Sequence, residues 1–260
     1  MSQAMLVDSH SHLDADAFDV DRDAVIARAR AAGVRRQVLP AVDAAGWPKL
    51  RDVCTRGPGL FPAYGLHPMY LASHREGHLS DLRDWIDREQ PVAVGECGLD
   101  YFVEGLDHEA QSHFFEGQLR LAREFDLPVI VHARRAVDAV IAAIRRVGGL
   151  RGVVHSFPGS MEQARQLSQA GFLLGLGGPV TYDRANRLRT LAATMPIDWL
   201  LLETDSPDQP DSGIRGQRNE PARLPCILET IATLRNADPG DIANATSANA
   251  QRLFGLPAAN

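Results

Sequence analysis

Short runs of consecutive apolar residues recur along this chain: AMLVDSH, VRRQVLPA, LFPAYGLHP, PVAVGECGLD, LPVIVHAR, RGVVHSF, GFLLGLGG and WLLLETDSP. Between most of them the apolar positions return every three or four residues, as in DRDAVIARARAAG, LSDLRDWIDRE, EAQSHFFEGQLRLAREF, AVDAVIAAIRRVGG, SMEQARQLSQAG and YDRANRLRTLAATM. Continuous apolar strands separated by amphipathic helices predict parallel β-structure with both faces covered. Eight such runs match the number that closes a (β/α)8 TIM barrel, so the expected fold class is α/β, with a doubly wound open sheet as the structural alternative. The last stretch, ETIATLRNADPGDIANATSANAQRLFG, reads as helices that cover the barrel.

Length adds that one large core is feasible: 260 residues suit a single barrel domain spanning residues 1–260. Apolar content of 45% with 23% charged residues is that of a globular protein. No stretch approaches the roughly 20 apolar residues of a membrane span, and the N-terminus shows no secretory pattern. Cys54, Cys97 and Cys226 are scattered outside any CxxC spacing, which suits a reducing cytoplasm and argues against a structural zinc site. The net charge of −6 argues against a broadly basic nucleic-acid surface. Bound divalent cations would invert the local field, so phosphate substrates stay compatible with it.

In a barrel the catalytic groups sit at the C-terminal ends of strands. Those ends carry His10 and His12, His67, Glu96, His132, His155 and Asp205, all imidazoles or carboxylates closing apolar runs. In an extended strand, residues two apart share a face, so His10 and His12 can converge on one ion. Leaving His67 aside, four histidines and two carboxylates are too many for one tetrahedral ion but suit two divalent ions about 3.5–4 Å apart, bridged by a carboxylate. Glu96 is the expected bridge. Lys49, the only lysine, lies in a helix-like stretch and cannot serve as a carboxylated bridge at strand four. The expected sets are His10, His12, Glu96 and Asp205 around one ion and Glu96, His132 and His155 around the other, with zinc, manganese or magnesium as candidate ions. Such a centre clamps a phosphoryl or carbonyl oxygen and acidifies a water, with Asp205 as general base.

Supporting residues are expected nearby. Glu203, two before Asp205, either orients a ligand histidine or pairs with an arginine inside the barrel. His67 either serves the substrate phosphate or its transition state, or packs its loop. Arg218 either contacts phosphate or positions the loop after strand eight. Arg134 and Arg135 after strand five, with Tyr101, Phe102 and Tyr182, are groove candidates for a nucleic-acid strand, although loop aromatics often merely pack.

Together DSHSHLD, YGLHP, VGECGLDY, PVIVHARRA, GVVHSFPGS, LLETDSP and RNEP resemble the TatD family of metal-dependent deoxyribonucleases, in motif order from the first strand to the last helix. The resemblance implies an amidohydrolase-like TIM barrel, a two-metal site, and hydrolysis of DNA phosphodiesters as a 3′ to 5′ exonuclease, with activity at abasic sites within its range. The family's metal positions fall on His10, His12, Glu96, His132, His155 and Asp205, and its G(I/L)HP histidine on His67. Cys97 stands where the family often has Ile, and HSFPGS where HCFSG is common; neither change removes a ligand. The expectation is therefore a cytoplasmic, monomeric nuclease acting on single strands or 3′ ends of DNA, with no membrane and no obligate protein partner. The same centre would also serve a small-molecule metallohydrolase cutting an ester, amide, lactone or phosphoester. A non-catalytic scaffold would lack ligands, and none is missing.

Overall fold

In the computed structural model, which describes residues 5–257, the eight apolar runs form one all-parallel sheet in chain order. The strands are β1 (Leu6–Asp8), β2 (Val34–Pro40), β3 (Leu60–Tyr64), β4 (Ala93–Asp100), β5 (Val129–Arg134), β6 (Gly152–Val154), β7 (Phe172–Leu176) and β8 (Leu200–Leu202). Helices α1 (Arg22–Ala31), α2 (Trp47–Cys54), α3 (His78–Glu89), α4 (His108–Glu124), α5 (Val137–Val147), α6 (Met161–Gln169) and α7 (Asn186–Thr194) connect them, and α8 (Leu224–Arg235) and α9 (Pro239–Phe254) follow. The sheet curls until its ends meet: the Ser9 amide donates to the Leu202 carbonyl (2.9 Å) and the Asp205 amide to that of His10 (2.9 Å). The open-sheet alternative is thereby set aside in favour of the barrel.

The barrel has a plugged end and a polar end. Val7, Val38, Ala63, Ala93, Ile130, Val153 and Leu201 form one buried cluster with Ala250, Leu253 and Phe254 of α9. Ser247 of α9 donates to the Met5 carbonyl (2.8 Å) and Asn249 to that of Leu200 (3.0 Å), so α9 caps the end where the strands begin. Outside, Val25, Leu82, Ile86, Phe115, Leu119 and Ile144 of the helices pack on outward strand residues such as Val94, Val131 and Leu174. Two residues beyond Ile130, Val153 and Leu201 stand His132, His155 and Glu203, which the period of two sends to the same inner face.

Several strands stop earlier than their apolar runs. The first run was read from Ala4, which lies outside the described residues, to His10, whereas β1 ends at Asp8; β6 ends at Val154 and β8 at Leu202. Past these points the chain leaves regular strand geometry. Ser156 (φ 45°) and Asp205 (φ 54°) take the left-handed conformation there, one that non-glycine residues seldom adopt outside tight or functional sites. The helix read from Tyr182 begins at Asn186: Tyr182 is extended (ψ 125°) after the 3-10 turn over Gly178–Thr181, and a turn at residues 183–184 precedes the helix. Between α8 and α9, Asn236 ends one helix in the left-handed region (φ 48°) and Asp238 caps the next by accepting from the Gly240 and Asp241 amides.

Candidate metal centre

His10 and His12 meet on a segment beyond β1, which corrects the strand-face reading of their spacing. That segment is laced between two neighbours: the Ser11 amide donates to the Val38 carbonyl (3.2 Å) and the His12 amide to that of Ser206 (2.7 Å). The two Nε2 atoms lie 3.1 Å apart. Nδ1 of His12 is 3.1 Å from the Pro40 carbonyl, which can only accept, so Nδ1 carries the hydrogen and Nε2 keeps its lone pair for the site. Beneath them the buried Asp8 ties β1 to β8. Its Oδ1 accepts from the His10 (3.2 Å) and Thr204 (3.0 Å) amides, and its Oδ2 meets the Thr204 hydroxyl at 2.6 Å. Burial pushes the Asp8 carboxyl up to about 7.

Glu96 stands at the centre. The pairing of β4 with β5 is irregular between Val94 and Cys97, and this break in the alternation turns Glu96, three residues past the inward Ala93, toward the axis. Its Oε2 lies 3.1 Å from Nε2 of His10 and 3.4 Å from Nε2 of His12. Its Oε1 lies 2.8 Å from Nε2 of His155, 3.2 Å from Nδ1 of His132 and 2.8 Å from Nε2 of His67. Asp205 Oδ1 joins the first side at 3.4 Å from His10 and 3.5 Å from His12. The His10 and His155 rings stack at 4.0 Å, so the two sides are in contact.

The donor set fits divalent cations. His12 and His132 both turn lone pairs inward, because Nε2 of His132 donates to Asp100 Oδ2 (2.9 Å) and leaves Nδ1 free. His67 differs. The Met69 amide donates to its Nδ1 (3.2 Å), so the neutral ring carries its hydrogen on Nε2 and presents a donor to Glu96. Charge follows the same layout. Burial opposes ionisation of Glu96, yet His155, His67 and His10 hold it well below the usual carboxylate range. Burial likewise opposes a charged His155, but Glu96 lifts it to about 9, and hydrogen bonds to Asp205 and Glu96 raise His12. Burial lowers His10 to about 4. Without an ion, then, the carboxylates draw protons onto His12 and His155, the nitrogens a cation would take, and the two compete.

Residues that the sequence reading passed over hold these groups in place. Asp100 is one; it stands four residues after Glu96 on the same run, a same-face spacing that was available as a signal. Gln111 of α4 brackets the Asp100 backbone (2.9 Å to its amide and 2.9 Å to its carbonyl), and Gln118, two turns on, brackets Leu66 next to His67. Gly98, between Glu96 and Asp100, lets β4 approach β5: a Cβ there would lie 2.0 Å from the His132 carbonyl oxygen. Asp205 Oδ2 accepts from the Gln209 amide, whose oxygen accepts from the Ser156 hydroxyl (2.7 Å).

Among the described residues Glu203 has no arginine partner. It is buried and accepts from the Ser156 amide through Oε1; among the described residues its Oε2 has no hydrogen-bond partner, nor do Nδ1 of His10 and Nδ1 of His155. Donor atoms of Glu203, His10 and His155 lie within 4.8 Å of one another, and burial lifts the Glu203 carboxyl to about 8. Arg218 is engaged elsewhere. It grips both oxygens of Asp21 (2.8 Å each) and the Ala17 carbonyl and lies over the Phe18 ring, which pins the loop after β8 to the start of α1. Asn219 fastens the same loop to the Thr204 carbonyl (2.8 Å). Arg134 is exposed, 3.7 Å above the Phe102 ring. Tyr101 stacks on His108, and the Tyr182 hydroxyl donates to the Pro210 carbonyl (3.0 Å). A cavity of about 610 Å³ lined by Trp47, Trp85, Arg75 and Arg88 shares no residue with the histidine cluster. Among the described residues no helix is long and apolar enough to cross a membrane.

Comparison with known proteins identifies the family. A family described as TatD related DNase matches residues 7–255. The chain is 38% identical over 254 residues to the uncharacterized metal-dependent hydrolase YjjV of Escherichia coli (strain K12), covering 96% of this chain and 98% of that one. It is 38% identical over 244 residues to the 3′-5′ ssDNA/RNA exonuclease TatD of Cronobacter sakazakii, covering 91% and 93%. The crystal structure of YjjV, a TatD homologue from Escherichia coli K12, superposes with a TM-score of 0.92 at 36% identity, over 98% of this chain and 99% of that one.

Proposed function

From the premise that this chain belongs to the TatD-related DNase family, a family of metal-dependent hydrolases, we propose that it hydrolyses DNA phosphodiester bonds from 3′ ends, preferring single strands, with its whole length acting as one domain. The observation that carries this reading is Glu96, whose two oxygens face two separate sets of imidazoles. In this reading His10, His12, Glu96 and Asp205 hold one divalent ion, and Glu96, His132 and His155 a second. Bound ions of this kind supply Lewis acidity toward a phosphoryl oxygen and lower the pKa of water.

The chain's own groups do the rest. Asp205 is held well below the usual carboxylate range, where burial is outweighed by His12, His10 and His155, so it is ionised at neutral pH and accepts the proton of the attacking water. Gln209 fixes the rotation of that carboxylate and is itself held by Ser156. His67 offers its Nε2 hydrogen to an oxygen of the phosphodiester. Asp100 and Pro40 fix the tautomers of His132 and His12. Glu203 brings a carboxylate oxygen within 4.8 Å of nitrogens of His10 and His155 and accepts from the Ser156 amide next to His155.

The test is digestion of 5′-labelled single-stranded and duplex DNA, and of RNA, by metal-stripped protein with Mg²⁺, Mn²⁺ or Zn²⁺ restored one at a time. Asp205→Asn is the control and loses about 10²- to 10⁴-fold in rate. A ladder shortening from the 3′ end that needs both metal and Asp205 supports the reading. Protein that binds metal yet cuts no nucleic acid with any ion is instead a small-molecule hydrolase.

A further inference from the structure

Four large apolar side chains are exposed among the described residues: Val20 (93%), Met69 (43%), Tyr70 (45%) and Phe102 (43%). Three of them stand just past β3 and β4, the strands that deliver His67 and Glu96. Apolar side chains left exposed next to a reactive cluster mark a surface for a ligand. Contacts link the two aromatics through the centre itself. The Tyr70 ring lies 5.7 Å from that of His67, which is 4.6 Å from that of His132. His132 is bonded to Asp100 Oδ2, and Oδ1 of the same carboxylate accepts from the Phe102 (2.9 Å) and Val103 (3.0 Å) amides. On the other flank the Tyr70 amide donates to the His67 carbonyl (3.0 Å). Both aromatics are therefore in fixed register with the candidate centre.

The charge nearby has the sign a phosphate backbone needs. Arg134 and Arg135 lie 3.7 and 4.6 Å over the Phe102 ring. Both are exposed, and among the described residues neither guanidinium has a carboxylate within salt-bridge distance. Two adjacent arginines without a carboxylate partner thus stand beside an exposed aromatic in a chain of net charge −6. Aromatic faces backed by arginine bind single strands, because each unpaired base offers a π-face that a duplex keeps covered.

We propose that Tyr70 and Phe102 form a stacking platform for unpaired bases at the end of a single-stranded nucleic acid, with Arg134 and Arg135 holding its phosphates, so that a terminal phosphodiester lies over Glu96. This rests on the nuclease reading and specifies how the strand is recognised.

The experiment compares two single strands of equal length, one with ordinary bases and one whose 3′ segment carries tetrahydrofuran residues in place of nucleosides. Each is digested by the wild type, Tyr70→Ala, Phe102→Ala and Phe102→Tyr, with metal content measured in every preparation. The expected readout is the ratio of KM for the base-free strand to KM for the base-bearing strand. It is large in the wild type, falls about 5- to 150-fold in each alanine variant, and is restored in Phe102→Tyr, with kcat and metal content nearly constant. Binding of a fluorescent single strand to Asp205→Asn protein should weaken by the same factor when Phe102→Ala is added. A wild type that digests both strands with equal KM, or an alanine variant that leaves the ratio unchanged, overturns the platform and leaves the nuclease reading standing. A wild type that cuts neither strand overturns both.

Discussion

Asp100 and His132 are joined by a 2.9 Å hydrogen bond that decides which imidazole nitrogen faces Glu96. The carboxylate accepts from Nε2 and leaves Nδ1 as the inward lone pair. Burial opposes ionisation of Asp100, but His132 and the amides of Val103 and Phe102 hold it down to about 2, so the anchor is charged at working pH. Replacing Asp100 by Asn removes that charge. The expected result is about 10- to 100-fold weaker divalent-metal affinity with an unchanged far-UV circular dichroism spectrum, measured by competition with a chromophoric chelator. Unchanged affinity would mean that the bond only packs the loop.

Glu96→Gln tests the proposed bridge. Losing the one carboxylate that faces both imidazole sets should lower metal content well below that of the wild type and cut turnover by more than the roughly 100-fold that an outer partner costs. The barrel should stay folded, because its hydrophobic layer lies at the other end. Full metal content measured by mass spectrometry would remove Glu96 from the bridging position.

Metal affinity should depend steeply on pH. His155 is lifted to about 9, so at pH 7 the ion-free protein holds a proton there that an incoming cation must displace. Affinity therefore rises with pH through the neutral range. Calorimetry in two buffers of different ionisation enthalpy would measure the released protons, and a pH-independent affinity would contradict the competition.

Gly175 leaves room for Glu203: a Cβ at this position would lie 2.0 Å from Glu203 Oε2. Gly175→Ala should displace that buried carboxylate and cost about 1–3 kcal/mol in chemical denaturation. Combined with Glu203→Ala, the same glycine substitution should cost much less, giving a coupling energy of about 1 kcal/mol or more. Additive effects would show that the two positions do not meet.

Arg223 and Asp211 form a two-armed pair (2.7 and 2.8 Å) in the long loop after β8. Burial would raise the Asp211 carboxyl, but the guanidinium holds it below its ordinary value. A depressed folded-state pKa stabilises above the unfolded value near 3.8 and is lost as pH falls through the folded one. Arg223→Gln should therefore cost about 2 kcal/mol at pH 7, with the deficit fading in acid below pH 4. A deficit that stays constant down to pH 2, followed by urea unfolding, would assign the loss to packing.

The positions of the metal-binding candidates were legible because barrels concentrate polar residues at strand ends: His132 and His155 are the first ionisable residues after their apolar runs, and Asp205 is the second, two positions after Glu203. Asp100 was legible in principle, since it closes the fourth apolar run four residues after Glu96, but nothing in the sequence shows that His132 is its partner. Gln111 and Gln118 were not legible, since a glutamine two turns from another on a helix looks like any solvated face until the strand it brackets is known. Arg218 carried two readings for the same reason: its partner Asp21 lies 197 residues away in the chain.

What the sequence determined by itself is what short-range physics controls: the alternation of apolar runs with helical periodicity, hence parallel strands covered on both faces, and the residue types that end each run. The tertiary structure decided what depends on distant partners. It fixed where β1, β6 and β8 stop, turned Glu96 inward through the irregular pairing of β4 with β5, and used Pro40 and Asp100 to choose which nitrogen of His12 and of His132 keeps its lone pair. A lone pair's direction depends on the hydrogen bond made by the opposite ring nitrogen, and residues far along the chain supply that bond only once the barrel has closed.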